Sequence, residues 1–161
     1  PGPNCEVVIA YQGVVAPEAI RAAGLLAGNR RDVGVLAVTS AARLNAGWTA
    51  AQRARARGNA AATSHIERLT EDLPRHCKLI TVIDGHPATL AWLGSVAGRQ
   101  TLPLGVEHFG QTGTIGDLYR HFGSDADSII EKVNGLTAGR RIWPPCSARP
   151  CLALRLSRVA A

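Results

Sequence analysis

The sequence predicts an α/β fold, a three-layer αβα sandwich on a mostly parallel open sheet. Two observations carry this. Four short apolar runs with strand character, at 6–11, 33–39, 78–84 and 101–106, are separated by segments whose apolar residues recur at helical spacing. Strand and helix therefore alternate, and helical crossovers between strands produce parallel sheets covered on both faces. A chain of 161 residues, 46% apolar and 19% charged, fits one domain with a substantial core.

The first strand is expected in EVVIAY (6–11), apolar without interruption after Glu6, as buried parallel strands are. Gly13 turns the chain. Pro17 suits the first helical position of APEAIRAAGLLAG (16–28), where its missing N–H costs nothing. Ala19, Ile20, Ala23, Leu26 and Ala27 read as the inner face of that helix and Gly28 as its C-cap. VGVLAVT (33–39) reads as a second buried strand, with Thr39 or Ser40 capping an Ala-rich helix over 41–57. Leu44 and Trp48 share one face of it, while Arg43, Gln52, Arg53, Arg55 and Arg57 read as solvated. Ser64-x-x-Glu67 is a capping box opening SHIERLTEDL, which Pro74 ends. KLITVID (78–84) is the third strand. A helix follows with Pro87 at its first position and Leu90, Leu93, Val96 and Ala97 inward. After the short fourth strand, Thr114 and Asp117 form a T-x-x-D cap for a helix ending at Phe122, and Asp125 caps a last helix over 125–133.

The net charge of +6 is local. Five of the 18 Lys and Arg residues lie in 140–161, which has no acid, leaving 13 bases against 12 acids elsewhere. That near-neutral body gives no argument for a nucleic-acid partner. No apolar run reaches the roughly 18 residues of a membrane helix. The start, PGPNCEVVIAYQG, lacks the charged region and cleavage pattern of a signal peptide. A cytoplasmic location without a membrane partner is expected. A chain that opens on Pro1 and contains no Met reads as a piece of something longer. Cys5, Cys77, Cys146 and Cys151 show no zinc spacing, and Cys5 and Cys77 are expected as buried free thiols.

In a parallel α/β sheet the loops after the strand C-termini gather along one edge. Here these are 11–13, 39–40, 84–86 and 107–112, and they hold much of the distinctive polar chemistry. The stretch TLPLGVEHFGQTGTIGDLYRHF (101–122) is the centre of the chain. It runs from a strand through a loop with Gly105, Gly110 and Gly113 around Glu107, His108, Gln111 and Thr112, then into a capped helix. His86 and His108 beside Asp84 and Glu107 are the residue types of acid–base or metal chemistry. The plainer reading has His86 packing at a helix start and Asp84 closing a turn. Ser40 lacks a G-x-S-x-G elbow, and no Cys stands in an activating loop. His65, His76 and His121 read as surface residues. Neither nucleotide-binding glycine signature occurs. The helix start at Thr114 attracts anions in general, but Glu107 nearby opposes that.

LITVIDGHPATLAWLGSVAG followed by PLGVEHFGQTGTIGDLYRHFGSDADSI resembles the C-terminal domain of transketolase-like, thiamine-diphosphate-dependent enzymes, above all the homodimeric pyruvate dehydrogenase decarboxylating component. EVVIAYQGVVAPEAIRAAGLLAGNRRDVGVLAVTSAARLNAGW resembles the start of the same domain, and the resemblance spans 5–142. It implies a five-stranded sheet with one antiparallel strand, in a domain over 5–139 followed by an atypical basic tail over 140–161. It also implies a parent enzyme that uses thiamine diphosphate and Mg²⁺, decarboxylates pyruvate or another 2-oxo acid, and passes the acyl group to lipoamide. The G-D-G…N motif that holds the diphosphate is absent here, as is the Glu that activates the thiamine ring. This chain alone is therefore expected to bind no cofactor or metal, to carry no catalytic residue and to be inactive, its part being to build the dimer. His86, Glu107, His108, Gln111 and Thr112 become candidate contacts to another domain or subunit. The implied partners are a second copy and the missing thiamine-binding domains, with the lipoyl acyltransferase component as an open third.

Two readings of other classes stand beside this one. The chain is a non-catalytic interaction module or the C-terminal half of a split enzyme, or it is a small α/β hydrolase or ligand-binding domain using His86 or His108. After Arg141, IWPPCSARPCLALRLSRVAA departs from the resemblance in its Pro, Cys and Arg usage. A frameshifted or read-through end is expected there, with a functional basic arm as the rival.

Overall fold

The computed structural model describes residues 2–29, 31–108 and 110–138. The tail over 140–161, with Cys146 and Cys151, lies outside the described residues.

Strands β1 (Val7–Gln12), β2 (Val33–Ala37), β3 (Lys78–Ile83) and β4 (Thr101–Leu104) form one sheet in the order β2-β1-β3-β4. The predicted α/β architecture is present, with helices on both faces. Two details of the expectation are corrected. Among the described residues the sheet has four strands rather than five, and every pair is parallel. On the β4 side, Pro103 stands opposite Thr81 and contributes no N–H, a composition that suits an edge. On the other side β2 is also an edge, so it is not the buried strand its apolar sequence suggests: Val35 keeps 46% of its surface exposed. Apolar β-branched residues make the strand, but its place in the sheet decides its burial.

Alternation along β1 sends Val7 and Ile9 to one face and Val8 and Ala10 to the other. The first face is covered by α1 (Ala16–Gly28) and α6 (Ala126–Thr137), whose Leu26, Ile129 and Val133 close the core over Ile80 and Val82. The second is covered by α2 (Ala41–Ala56), α3 (His65–Leu69), α4 (Ala88–Ala91) and the 3-10 turn Trp92–Ser95 that continues α4. Ile66, Leu90 and Leu93 pack there, with Leu44 and Trp48 of α2 half-buried against them as their spacing predicts. Trp48 stacks on Trp92 with ring centroids 5.5 Å apart.

Local signals set most helix starts. The Ser40 hydroxyl accepts the Arg43 N–H at 3.4 Å, and the Ser64–Glu67 capping box forms in both directions. Three details differ from the sequence reading. In α1 the buried residues are Ala19, Ala22, Ala23 and Leu26, while Ile20 is 53% exposed and Asn29, not Gly28, is the C-cap. Pro87 is the N-cap of α4 rather than its first residue. Helix α3 stops at Leu69, because the carbonyls of Thr70, Leu73, Pro74 and Cys77 are taken by the Arg99 guanidinium instead of by a continued helix. Arg55, read as solvated, reaches Glu67 at 2.6 Å and the Ala62 carbonyl at 2.6 Å. That contact holds the Glu67 carboxyl down at about 2, with the Ser64 hydroxyl and N–H adding to it and burial opposing.

Candidate functional site

Because every strand is parallel, the loops after β1, β3 and β4 open on the same edge of the sheet. Two of them touch. The Val106 N–H donates to the Gly85 carbonyl at 2.8 Å. A Cβ on Gly105 would lie 2.3 Å from that same oxygen, so the approach is open to glycine alone. This contact brings the 84–86 turn against the start of the 105–113 loop. Further along, Gly110 has φ +110°, a conformation L side chains rarely adopt.

The predicted contact residues lie in the loops along this edge. His86, Glu107, His108, Gln111 and Thr112 are all exposed. The His86 ring accepts the Ala88 N–H at Nδ1, 3.2 Å away, which is the plainer helix-start role. Among the described residues, no hydrogen bond joins His86 to Asp84 or His108 to Glu107.

Beyond the loop, the Thr114 hydroxyl accepts the Asp117 N–H at 3.3 Å and donates to its carboxylate at 2.6 Å. The cap starts α5 (Ile115–Phe122) and holds the Asp117 carboxyl below its usual range. Gly123 ends the helix at φ +64°. Tyr119 anchors α5 to the rest of the molecule: its hydroxyl donates to the Val14 carbonyl at 3.5 Å. Burial, helped by the carboxylates of Asp84 and Glu18, pushes its phenol up. Glu18 in turn accepts the Ala126 N–H at 2.8 Å, so α1 caps α6 from outside.

The sequence reading missed what surrounds this anchor. Helix α5 buries no residue; Leu118, Tyr119 and Phe122 are only half-covered, and Ile115 is 70% exposed. Val14, whose carbonyl receives Tyr119, is 62% exposed. An apolar patch therefore adjoins the polar loop on one edge. The available signal was an amphipathic helix whose cap is followed at once by Ile115, and an apolar Val14 directly after a turn glycine.

The described residues offer no constellation that fits a thiamine diphosphate–Mg²⁺ site. Among the described residues no three of His, Cys, Asp and Glu stand together as metal ligands would. The diphosphate-binding motif is missing from the sequence as well. Among the described residues, no helix is long and apolar enough to cross a membrane.

No protein-family model matches the chain, and no curated protein matches it. Solved structures do. The chain is similar to a protein described as a split-gene transketolase, inactive beta4 tetramer, with a TM-score of 0.59 and 17% identity over 84% of this chain and 40% of that one. It is also similar to the transketolase of Pichia stipitis in complex with sedoheptulose 7-phosphate, with a TM-score of 0.56 and 17% identity over 86% of this chain and 17% of that one. The chain thus spans well under half the length of either protein, and it has a fold that transketolases contain.

Proposed function

We propose that this chain is the C-terminal, non-catalytic domain of a transketolase-like, thiamine-diphosphate-dependent enzyme, and that it serves as a docking edge for a catalytic site built elsewhere. The observation that carries the reading is the pairing of a transketolase-type fold over 84% of the chain with loops that expose His86, Glu107, His108, Gln111 and Thr112 and with the exposed apolar side chains of Ile115 and Val14. Apolar surface rimmed by exposed polar side chains is the composition of a contact surface. The sequence resemblance favours the pyruvate dehydrogenase component as the parent. In that parent, other domains hold thiamine diphosphate and Mg²⁺, pyruvate is decarboxylated, and the acetyl group passes to lipoamide on the acyltransferase partner. Similarity to a protein described as an inactive beta4 tetramer supports self-association without activity, and its split gene supports a second reading, half of an enzyme made as two chains.

The test is reconstitution. The chain alone, given thiamine diphosphate, Mg²⁺ and pyruvate, is expected to show no turnover. Mixed with a separately made chain carrying the thiamine-binding domains, it is expected to restore pyruvate decarboxylation. Ile115→Asp is expected to abolish that restoration while the chain stays folded by circular dichroism. Turnover by the chain alone would overturn the non-catalytic reading. An assembly that accepts ketose phosphates and refuses pyruvate would move the parent from pyruvate dehydrogenase to transketolase.

A further inference from the structure

At the opposite end of the sheet from the docking edge, two cysteines meet. Cys5 lies just before β1 and Cys77 just before β3, 72 residues apart in sequence and adjacent in space. Their sulfurs are 3.7 Å apart, with the Cys77 thiol directed at the Cys5 sulfur and the Cys5 thiol donating to the Val7 carbonyl at 3.4 Å. Both are free, and their exposures are 0% and 1%. We propose that Cys5 and Cys77 form an oxidisable dithiol, which a hydroperoxide converts to a disulfide stapling the entry of β1 to the entry of β3.

The geometry favours this pairing. A disulfide has its sulfurs about 2.05 Å apart, so closure needs an approach of about 1.7 Å by two side chains at strand ends, where the backbone has more freedom than in the sheet. Access runs through Cys5. It closes a short turn over 2–5, held by the Cys5 N–H on the Gly2 carbonyl at 3.1 Å and the Gly2 N–H on Asp32 at 3.2 Å. Pro3 and Asn4 within it are exposed. Lifting that turn uncovers Cys5 without opening the sheet. Cys77 is fixed more firmly, since the carbonyls of Pro74 and Cys77 are held by Arg99. Burial and the neighbouring Cys5 push its thiol up.

The chemistry balances with the peroxide as the sole oxidant. The Cys5 sulfur attacks one peroxide oxygen, the O–O bond breaks, and Cys5 becomes a sulfenic acid as one alcohol or water leaves. Cys77 then attacks the Cys5 sulfur. The S–S bond forms, the S–O bond breaks, and the hydroxyl departs as water with the Cys77 proton. Two electrons pass from the two sulfurs to the peroxide. A small dithiol reverses the product by thiol–disulfide exchange.

Peptide mapping of the full chain tests this. The folded protein is treated with hydrogen peroxide, its remaining thiols are alkylated in denaturant, and the digest is analysed by mass spectrometry. The expected result is a Cys5–Cys77 linked peptide as the dominant cross-link, a mass loss of about 2 Da per pair, and loss of that peptide after dithiothreitol. The same treatment in denaturant is expected to scatter cross-links over all four cysteines. Cys5→Ser is expected to leave Cys77 alkylatable after peroxide. Both thiols remaining alkylatable in the treated folded protein would overturn the proposal, as would a Cys5 that gains oxygen without ever linking to Cys77.

Discussion

Helices α5 and α6 follow one another and begin alike, yet they end in opposite environments. Each opens on a residue whose side chain accepts the N–H three positions on, Thr114 in one and Asp125 in the other. Each has an apolar side. Helix α6 buries Ala126, Ile129, Val133 and Leu136 against α1 and the sheet. Helix α5 buries nothing and rests on the molecule through Tyr119. Capping and periodicity are local, and they suffice to make a helix. Whether the apolar side is covered depends on what the rest of the fold brings over it. An apolar helix side left open within one chain is where a second surface belongs, which is why α5 and the adjoining loop carry the proposed docking role.

The contrast can be broken by mutation, most forcefully at its covered end. Ile129→Ala is expected to cost about 2–5 kcal/mol in urea unfolding, since Ile129 is fully buried between helix and sheet. Gly105→Ala tests the joint on which the docking edge rests. The added Cβ meets the Gly85 carbonyl, and a loss of about 1–3 kcal/mol is expected from the forced shift. Its thermal midpoint should fall, and an unchanged midpoint would mean the two loops are not held together. Ion pairs give a smaller contrast. The Glu67 carboxyl is held at about 2 against an ordinary 4.5. Its folded-state value is depressed, so the stability it contributes is present above pH 4.5 and is lost as pH falls toward about 2. With Arg55 and Glu67 partly exposed, that contribution is about 1–2 kcal/mol after solvent screening. Acid titration of unfolding should show it in the native protein and not in Glu67→Gln. The smallest effect is expected at the open end: Ile115→Ala should change the stability of the chain alone by less than about 0.5 kcal/mol. If it costs as much as Ile129→Ala, α5 is covered and the comparison fails.

Much of the fold was legible because its signals act over a few residues. Ser64, Thr114 and Asp125 each cap the helix they were assigned to, Ser40 is the one of the two residues offered for α2 that caps it, and four apolar runs became the four strands. What was not legible came from residues far apart. Val35 is exposed because β2 lies at an edge, α3 is short because Arg99 reaches back from thirty residues on, and Ile20 faces outward because α1 packs through its alanines. The candidate site divides in the same way. Its residues were named from the loop sequence, and parallel topology puts those loops on one edge. The Gly105–Gly85 approach, the Tyr119 anchor and the open side of α5 depend on segments as much as 105 residues apart.

By itself, then, the sequence determined which segments become strands and helices, where most of the helices start, and that the strands are joined by crossovers. Those properties rest on backbone preferences and side-chain-to-backbone hydrogen bonds between near neighbours. Only the tertiary structure decided which strands are edges, which helix sides are covered, and that Cys5 meets Cys77. Those are matters of which distant surfaces fill the same space, and close packing settles them for the whole chain at once.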